Sequence, residues 1–147
     1  MTSSSGIHAE VGKRLTASGI RYTTGRRAVI DALARSDGPM SAAELHATMG
    51  AKVPLSSIYR AIAVLESAEV LVPHLATKGI ARYEPAEWLG GHHHHLVCID
   101  CGSVEDIPIA PGPETRLEQI VTELAGDSQF EPVDHALEIA GRCHRCA

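Results

Sequence analysis

The chain has 147 residues, 44% of them hydrophobic but only 3% aromatic, and a formal charge of −5 at neutral pH. That is enough for one domain or two small ones; no apolar run can span a bilayer, and aromatics are too few for a base-stacking or carbohydrate platform. The charge is unevenly divided: residues 1–84 carry ten Lys and Arg against seven Asp and Glu, and residues 85–147 three against eleven, so a basic front half and an acidic rear half suggest two tasks in one chain.

The front half reads as helices. Ile7, Val11 and Leu15 recur at helical spacing up to Ser18-Gly19, and Thr24 is placed to cap a second helix carrying Val29, Ile30 and Leu33, which Asp37-Gly38-Pro39 stops. Ser41-Ala42-Ala43-Glu44 is a capping box opening a short helix that ends near Gly50. Pro54 with Ser56 or Ser57 introduces another, whose stripe of Ile58, Ile62 and Leu65 leaves Tyr59 and Arg60 outside it. Two short helices joined by a tight turn fit a helix-turn-helix, the later one presenting polar residues to a major groove. Val70-Leu71-Val72 and Ile80-Ala81-Arg82-Tyr83 flank Thr77-Lys78-Gly79 as a hairpin, which makes the unit a winged helix. Arg21, Arg26, Arg27, Lys52, Arg60 and Lys78 are the expected phosphate neighbours, with Ser57 and Tyr59 on the same helix start as Arg60. Solvated surface is the alternative for the cations, and packing the alternative for Tyr59.

Residues 85–91 read as a hinge between a front domain, 1–84, and a rear domain, 92–147. The rear domain opens on His92-His93-His94-His95, four histidines running into Leu96-Val97-Cys98. In a strand, side chains alternate, so His93 and His95 point one way while His92 and His94 point the other, and the run can serve two metal sites. A second strand around Ser103 to Ile109 follows, with Pro108 marking an edge or strand end. Pro113 and Glu114 then open a helix bearing Leu117, Ile120, Val121 and Leu124, closed by Gly126. A last strand carries Val133, His135, Leu137 and Ile139 on one face. The whole is an α+β chain: an N-terminal winged helix-turn-helix domain plus a small C-terminal α/β domain whose exposed strands favour dimerisation.

All four cysteines fall in two Cys-x-x-Cys pairs, Cys98/Cys101 and Cys143/Cys146, the knuckle that brings two thiolates to one tetrahedral ion. Disulfides and a redox pair are the alternatives. The start of the chain has neither a basic nor an apolar leader region, which leads us to expect a cytoplasmic protein whose reduced thiols favour metal. Four thiolates leave no open position, so this metal is expected to be structural.

Taken together, Ser57-Ile58-Tyr59-Arg60, Arg82-Tyr83-Glu84, the histidine run leading to Cys98-x-x-Cys101-Gly102, and Leu137-Glu138-Ile139-x-Gly141-x-Cys143-x-x-Cys146 resemble the ferric uptake regulator family of bacterial metal-responsive repressors. The resemblance covers nearly the whole chain. It implies a homodimer that binds double-stranded operator DNA, a C-terminal dimerisation domain, structural Zn2+ on Cys98, Cys101, Cys143 and Cys146, and one or two regulatory sites for Zn2+ or Fe2+. Carried over by position, one regulatory site takes His93 and His95 with Glu87 upstream. A second takes His92, His94, His135 and Glu114, with Glu105, Asp106 and Glu118 as alternative oxygen donors and a buried core histidine as the other reading of His135. One departure matters: iron, manganese and peroxide sensors commonly use a histidine ahead of the Ser-Ala-Glu helix, where this chain has Asp37-Gly38-Pro39-Met40. Zinc-sensing relatives take a ligand from the wing instead, matched by His74, although their cysteine near the hinge is absent. His74, Glu87, His93 and His95 would make a zinc-suited N₃O set, a solvated wing residue being the other reading of His74. The expectation is a zinc-responsive repressor of metal homeostasis genes and not an enzyme. An iron-responsive member is the runner-up, and a zinc-storage or interaction protein a more distant third. No His-Glu-x-x-His occurs to support a zinc hydrolase.

Overall fold

The structure, a computed structural model, describes residues 4–50, 52–75 and 79–147. Lys78 and most of the expected hairpin turn lie outside the described residues.

Helix α1 (Ser4–Ala17) buries Val11 and Leu15 and is followed by Gly19, whose φ of 69° lets the chain reverse. In α2 (Thr24–Ala34) the cap is Thr23, not Thr24: Thr23 is extended, and its hydroxyl accepts from the Arg26 N–H, while Thr24 already occupies the first helical position. The capping box of α3 (Ala42–Met49) forms as expected, with Glu44 N–H donating to Ser41 Oγ at 3.2 Å and Ser41 N–H to Glu44 Oε2 at 2.8 Å. Helix α4 (Leu55–Ser67) starts directly after Pro54, so Ser56 and Ser57 stand in its first turn, not at its cap. Its Ile58, Ala61, Ile62 and Leu65 join Val11, Leu15, Val29, Ile30, Leu33 and Leu45 in the main core. Strands β1 (Leu71–Leu75) and β2 (Ala81–Pro85) pair antiparallel from Leu71↔Pro85 to Leu75↔Ala81, forming the wing. Met40 and Tyr83 exchange backbone hydrogen bonds at 2.8 and 3.0 Å, tying the α2–α3 loop to that wing.

The expected hinge is an ordered turn of helix, α5 (Glu87–Gly90), because its apolar Leu89 packs into the front core and Trp88 donates to the Glu69 carbonyl at 2.9 Å. In the rear half, β3 (His94–Cys98) lies between an antiparallel β4 (Val104–Ile107) and a parallel β5 (Glu138–Gly141). The histidine strand thus begins at His94, two residues later than expected. The last strand begins at Glu138, well after Val133, because the ladder with β3 runs only from His95↔Glu138 to Cys98↔Gly141. Helix α6 (Pro111–Gly126) buries none of its residues. The rear core is Val97 and Val104, while Leu96, Ile120, Leu124, Phe130 and Ile139 are exposed and Val133 is 97% accessible. A unit burying so little apolar surface and showing so much has a face suited to a protein partner. Among the described residues no helix is long and apolar enough to cross a membrane.

Candidate metal centres and nucleic-acid face

Four thiols converge where β3 ends and the C-terminus returns. Cys98 is buried at the strand end, Cys101 lies in the turn beyond it, and Cys143 and Cys146 follow β5, whose pairing with β3 carries them across. All four sulfurs lie within 4.8 Å of one another. Cys101 Sγ is 3.8 Å from Cys143 Sγ, the edge expected of a tetrahedron whose centre lies about 2.3 Å from each sulfur. Backbone N–H groups of Cys101 and Cys143 aimed at the Cys98 sulfur hold its thiol down at about 6. The N–H of Arg145 lowers Cys143, while hydrogen bonds with Cys143 and Cys101 push Cys146 up to about 12. The thiols contest each other's charge, and a divalent cation relieves that contest. The donor set and the N–H groups on sulfur fit a structural zinc.

The second cluster bridges the two halves. Glu84 from β2 meets His93 and His95, with Asp106 from β4 completing the group within 4.8 Å. Both imidazoles turn Nε2 onto one oxygen, Glu84 Oε2, at 3.1 Å for His93 and 2.9 Å for His95; Asp106 Oδ1 lies 3.8 and 3.5 Å away from the same nitrogens. The His93 Nδ1–H donates to the Gly91 carbonyl at 2.9 Å, which leaves its Nε2 lone pair facing the cluster. Burial opposes charge on His93, but the Gly91 carbonyl and the Glu84 and Asp106 carboxylates outweigh it and raise the imidazole above its ordinary range. Burial also raises Asp106, against the pull of His93, His95 and His74. Two nitrogens and two carboxylates converging on one point fit a divalent cation.

The third cluster lies on the opposite face. Glu114, in the first turn of α6, receives His94 Nε2 at 3.0 Å on Oε2, and His92 and His135 approach its Oε1 at 3.2 and 3.0 Å. Glu114 Oε1 and His135 Nε2 are both buried without a hydrogen-bond partner although they face each other. Two orphaned buried atoms at contact distance is what ligands of a shared ion look like without it. His94 differs: it is 1% exposed, and its Nδ1 accepts from the Leu137 N–H at 3.2 Å, so both its ring nitrogens already have protein partners. Its hydrogen bond to Glu114 is the largest influence holding that carboxyl low.

The residues expected on one hinge site are thus distributed. His93 and His95 stay together, as alternation along the strand required. Glu87 sits elsewhere: α5 turns its carboxylate to the other face, 2.6 Å from His92 Nδ1, and Glu84 stands in the position expected of it. That hydrogen bond is the main reason His92 titrates above its ordinary value. His74 stands at the cluster's edge, its ring 4.5 Å from that of His95, its Nε2 3.1 Å from Glu138, and its Nδ1 buried without a partner. Glu84 and Asp106 were missed as hinge-site donors. No spacing signalled Glu84; for Asp106 the signal was register, since it pairs with His95 across the sheet.

On the front domain, Arg21, Arg27, Tyr59 and Arg60 are exposed, and Arg26 and Ser57 half-buried. Arg26 donates to the Arg21 carbonyl, Arg60 to Ser57 Oγ at 3.3 Å, and the Arg27 guanidinium stacks 4.1 Å from the Tyr22 ring centre. His8 lies in α1 and bridges Tyr22 at 2.6 Å and Asp31 at 2.9 Å, since α1 packs on α2.

Residues 17–140 match the profile of the ferric uptake regulator family. The chain belongs to that family. It is 30% identical over 141 residues to the ferric uptake regulation protein of Bacillus subtilis (strain 168), a match covering 92% of this chain and 91% of that one. The Helicobacter pylori ferric uptake regulator, whose structure is described as revealing three functional metal-binding sites, superposes with a TM-score of 0.76 at 24% identity, over 98% of this chain and 93% of that one. The Vibrio cholerae ferric uptake regulator gives 0.71 at 26% identity, over 90% and 98%. This member of the ferric uptake regulator family is therefore a metal-responsive regulator and not an enzyme.

Proposed function

We propose that this ferric uptake regulator family member is a cytoplasmic repressor that binds double-stranded operator DNA as a homodimer when zinc occupies the Glu84 cluster. The observation that carries this is the cluster's composition across the halves: Glu84 belongs to the wing, whereas His93, His95 and Asp106 belong to the rear domain. These four can share one ion in only one relative orientation of the domains. A bound cation supplies the charge that lets Glu84 and Asp106 lie close together. The two α4 helices of a dimer, with Ser57, Tyr59 and Arg60 at their starts, would then be held at one half-site spacing. Arg21, Arg26, Arg27 and Lys78 are assigned to the phosphates. The Cys98, Cys101, Cys143 and Cys146 set is assigned to structural zinc. His92, Glu114 and His135 are assigned to a second regulatory site, with Glu87 orienting His92 and His94 bracing Glu114 from the interior. The exposed face of α6, with Leu96 and Ile139, supports the dimer.

Zinc is favoured by His74, whose unpartnered Nδ1 beside His95 would add a third imidazole. Iron is the second reading, supported by the two carboxylates, Glu84 and Asp106, and by the names of the relatives. Fluorescence anisotropy with promoter DNA across zinc, iron, manganese and nickel tests both, alongside metal analysis of protein purified without added metal. Zinc giving the tightest complex is expected; iron doing so selects the second reading. Metal-independent affinity, or no binding to any promoter, would count against the repressor and for storage.

A further inference from the structure

The Asp37-Gly38 loop between α2 and α3 lies against the outer edge of β4. Asp106 N–H donates to the Asp37 carbonyl at 2.8 Å. A Cβ at Gly38 would stand 2.4 Å from the Val104 carbonyl oxygen, closer than real Cβ atoms come to backbone, and a tight 3.1 Å from Glu105 Cα. Gly38 has no left-handed φ, so glycine is required there by the close approach and not by conformation. Ser36 Oγ, which donates to the Gly38 carbonyl at 2.6 Å, holds the loop in shape.

These contacts close a ring through the Glu84 cluster. Asp106 presents its carboxylate to His93 and His95 and its amide to Asp37. From Asp37 the chain passes to Met40, which is bridged to Tyr83, and Tyr83 is bonded to Glu84, the other acidic member of the cluster. One residue thus touches the cluster with its side chain and the DNA-reading domain with its backbone. We infer that the Asp37-Gly38 seat on Asp106 and Val104 is the joint through which occupancy of the Glu84 cluster positions the helix-turn-helix, with Gly38 as a positioning residue that ligates nothing. This rests on the proposed metal-dependent repressor.

The test uses full-length protein with Zn2+ as the probe. In the wild type, zinc should slow amide exchange at Asp106, because filling the cluster fixes the residue whose N–H makes the joint; unchanged exchange overturns the proposal. G38A should abolish that protection and reduce the ratio of DNA affinities with and without zinc by about 10-fold or more, within the usual range of coupling between sites. Its zinc-free DNA affinity should stay at the wild-type level, because the added methyl meets only the rear domain. G112A, whose added Cβ meets nothing within 4 Å, is the matched control and should behave as wild type. A G38A protein that folds and keeps the full zinc ratio also overturns the joint. If G38A fails to fold, the wild-type exchange result decides alone. Zinc-dependent protection of Asp106 without zinc-dependent DNA affinity would support the joint and remove the repressor reading instead.

Discussion

Neighbouring histidines in this chain do different work because burial and partners divide them. His93 turns its Nε2 to the Glu84 and Asp106 carboxylates at the surface, while His94 is sealed in the interior with a backbone N–H on one nitrogen and Glu114 on the other. H93A should therefore weaken regulatory metal binding by more than about 100-fold, beyond what loss of an outer partner costs, with little change in melting. H94A should cost on the order of 2–4 kcal/mol of folding stability by opening a cavity and orphaning a backbone donor. Isothermal titration with zinc and urea denaturation of both variants check this; equal stabilities for the two would refute the division. The pairing of His93 with His95 was legible from strand alternation alone. Glu84 was not, because no spacing rule links a wing residue to a strand nine positions later.

At the level of elements, β5 is a short strand with every residue exposed, yet it carries Cys143 and Cys146 to the end of β3. Ladder hydrogen bonds on a four-residue strand with little apolar cover hold weakly by themselves. In the proposed assignment, zinc on the two knuckles supplies what the small rear core does not. C143S should lose the tightly held zinc and lower the melting temperature, by about 2–4 °C for each kcal/mol of stability lost. Atomic absorption and calorimetry measure the two quantities, and full zinc with unchanged melting would remove the Cys₄ assignment. The two Cys-x-x-Cys pairs were plain in the sequence, and so were the capping box of α3 and the apolar stripe of α4. The late start of β5 was not, because Val133, His135 and Leu137 alternate like a strand but have no strand beside them to pair with.

For the whole molecule, the proposed regulatory metal would compete with protons for the same histidines. His92 and His93 are held above the ordinary imidazole value, so protons persist on them to higher pH than on free histidine, and metal affinity should fall as pH drops through those raised values. Folding stability from the same pairs runs the opposite way: it is present in full below the unfolded value of about 6.5 and lost as pH rises through the folded values. Chelator-treated protein should thus gain from these pairs on the acid side, and zinc-loaded protein on the alkaline side. Denaturation curves with and without zinc should converge below about pH 6.5 and separate above it, and a zinc increment independent of pH would refute this. Ligand types, the knuckles, the winged helix and the split of charge were determined by the sequence itself, because periodicity, turn chemistry and donor identity are local properties. Only the tertiary structure decided that Glu84 and Asp106 join His93 and His95, that Glu87 turns to His92, and that Gly38 seats one domain on the other. Those meetings are set by how sheets and helices pack and not by any spacing within a single element.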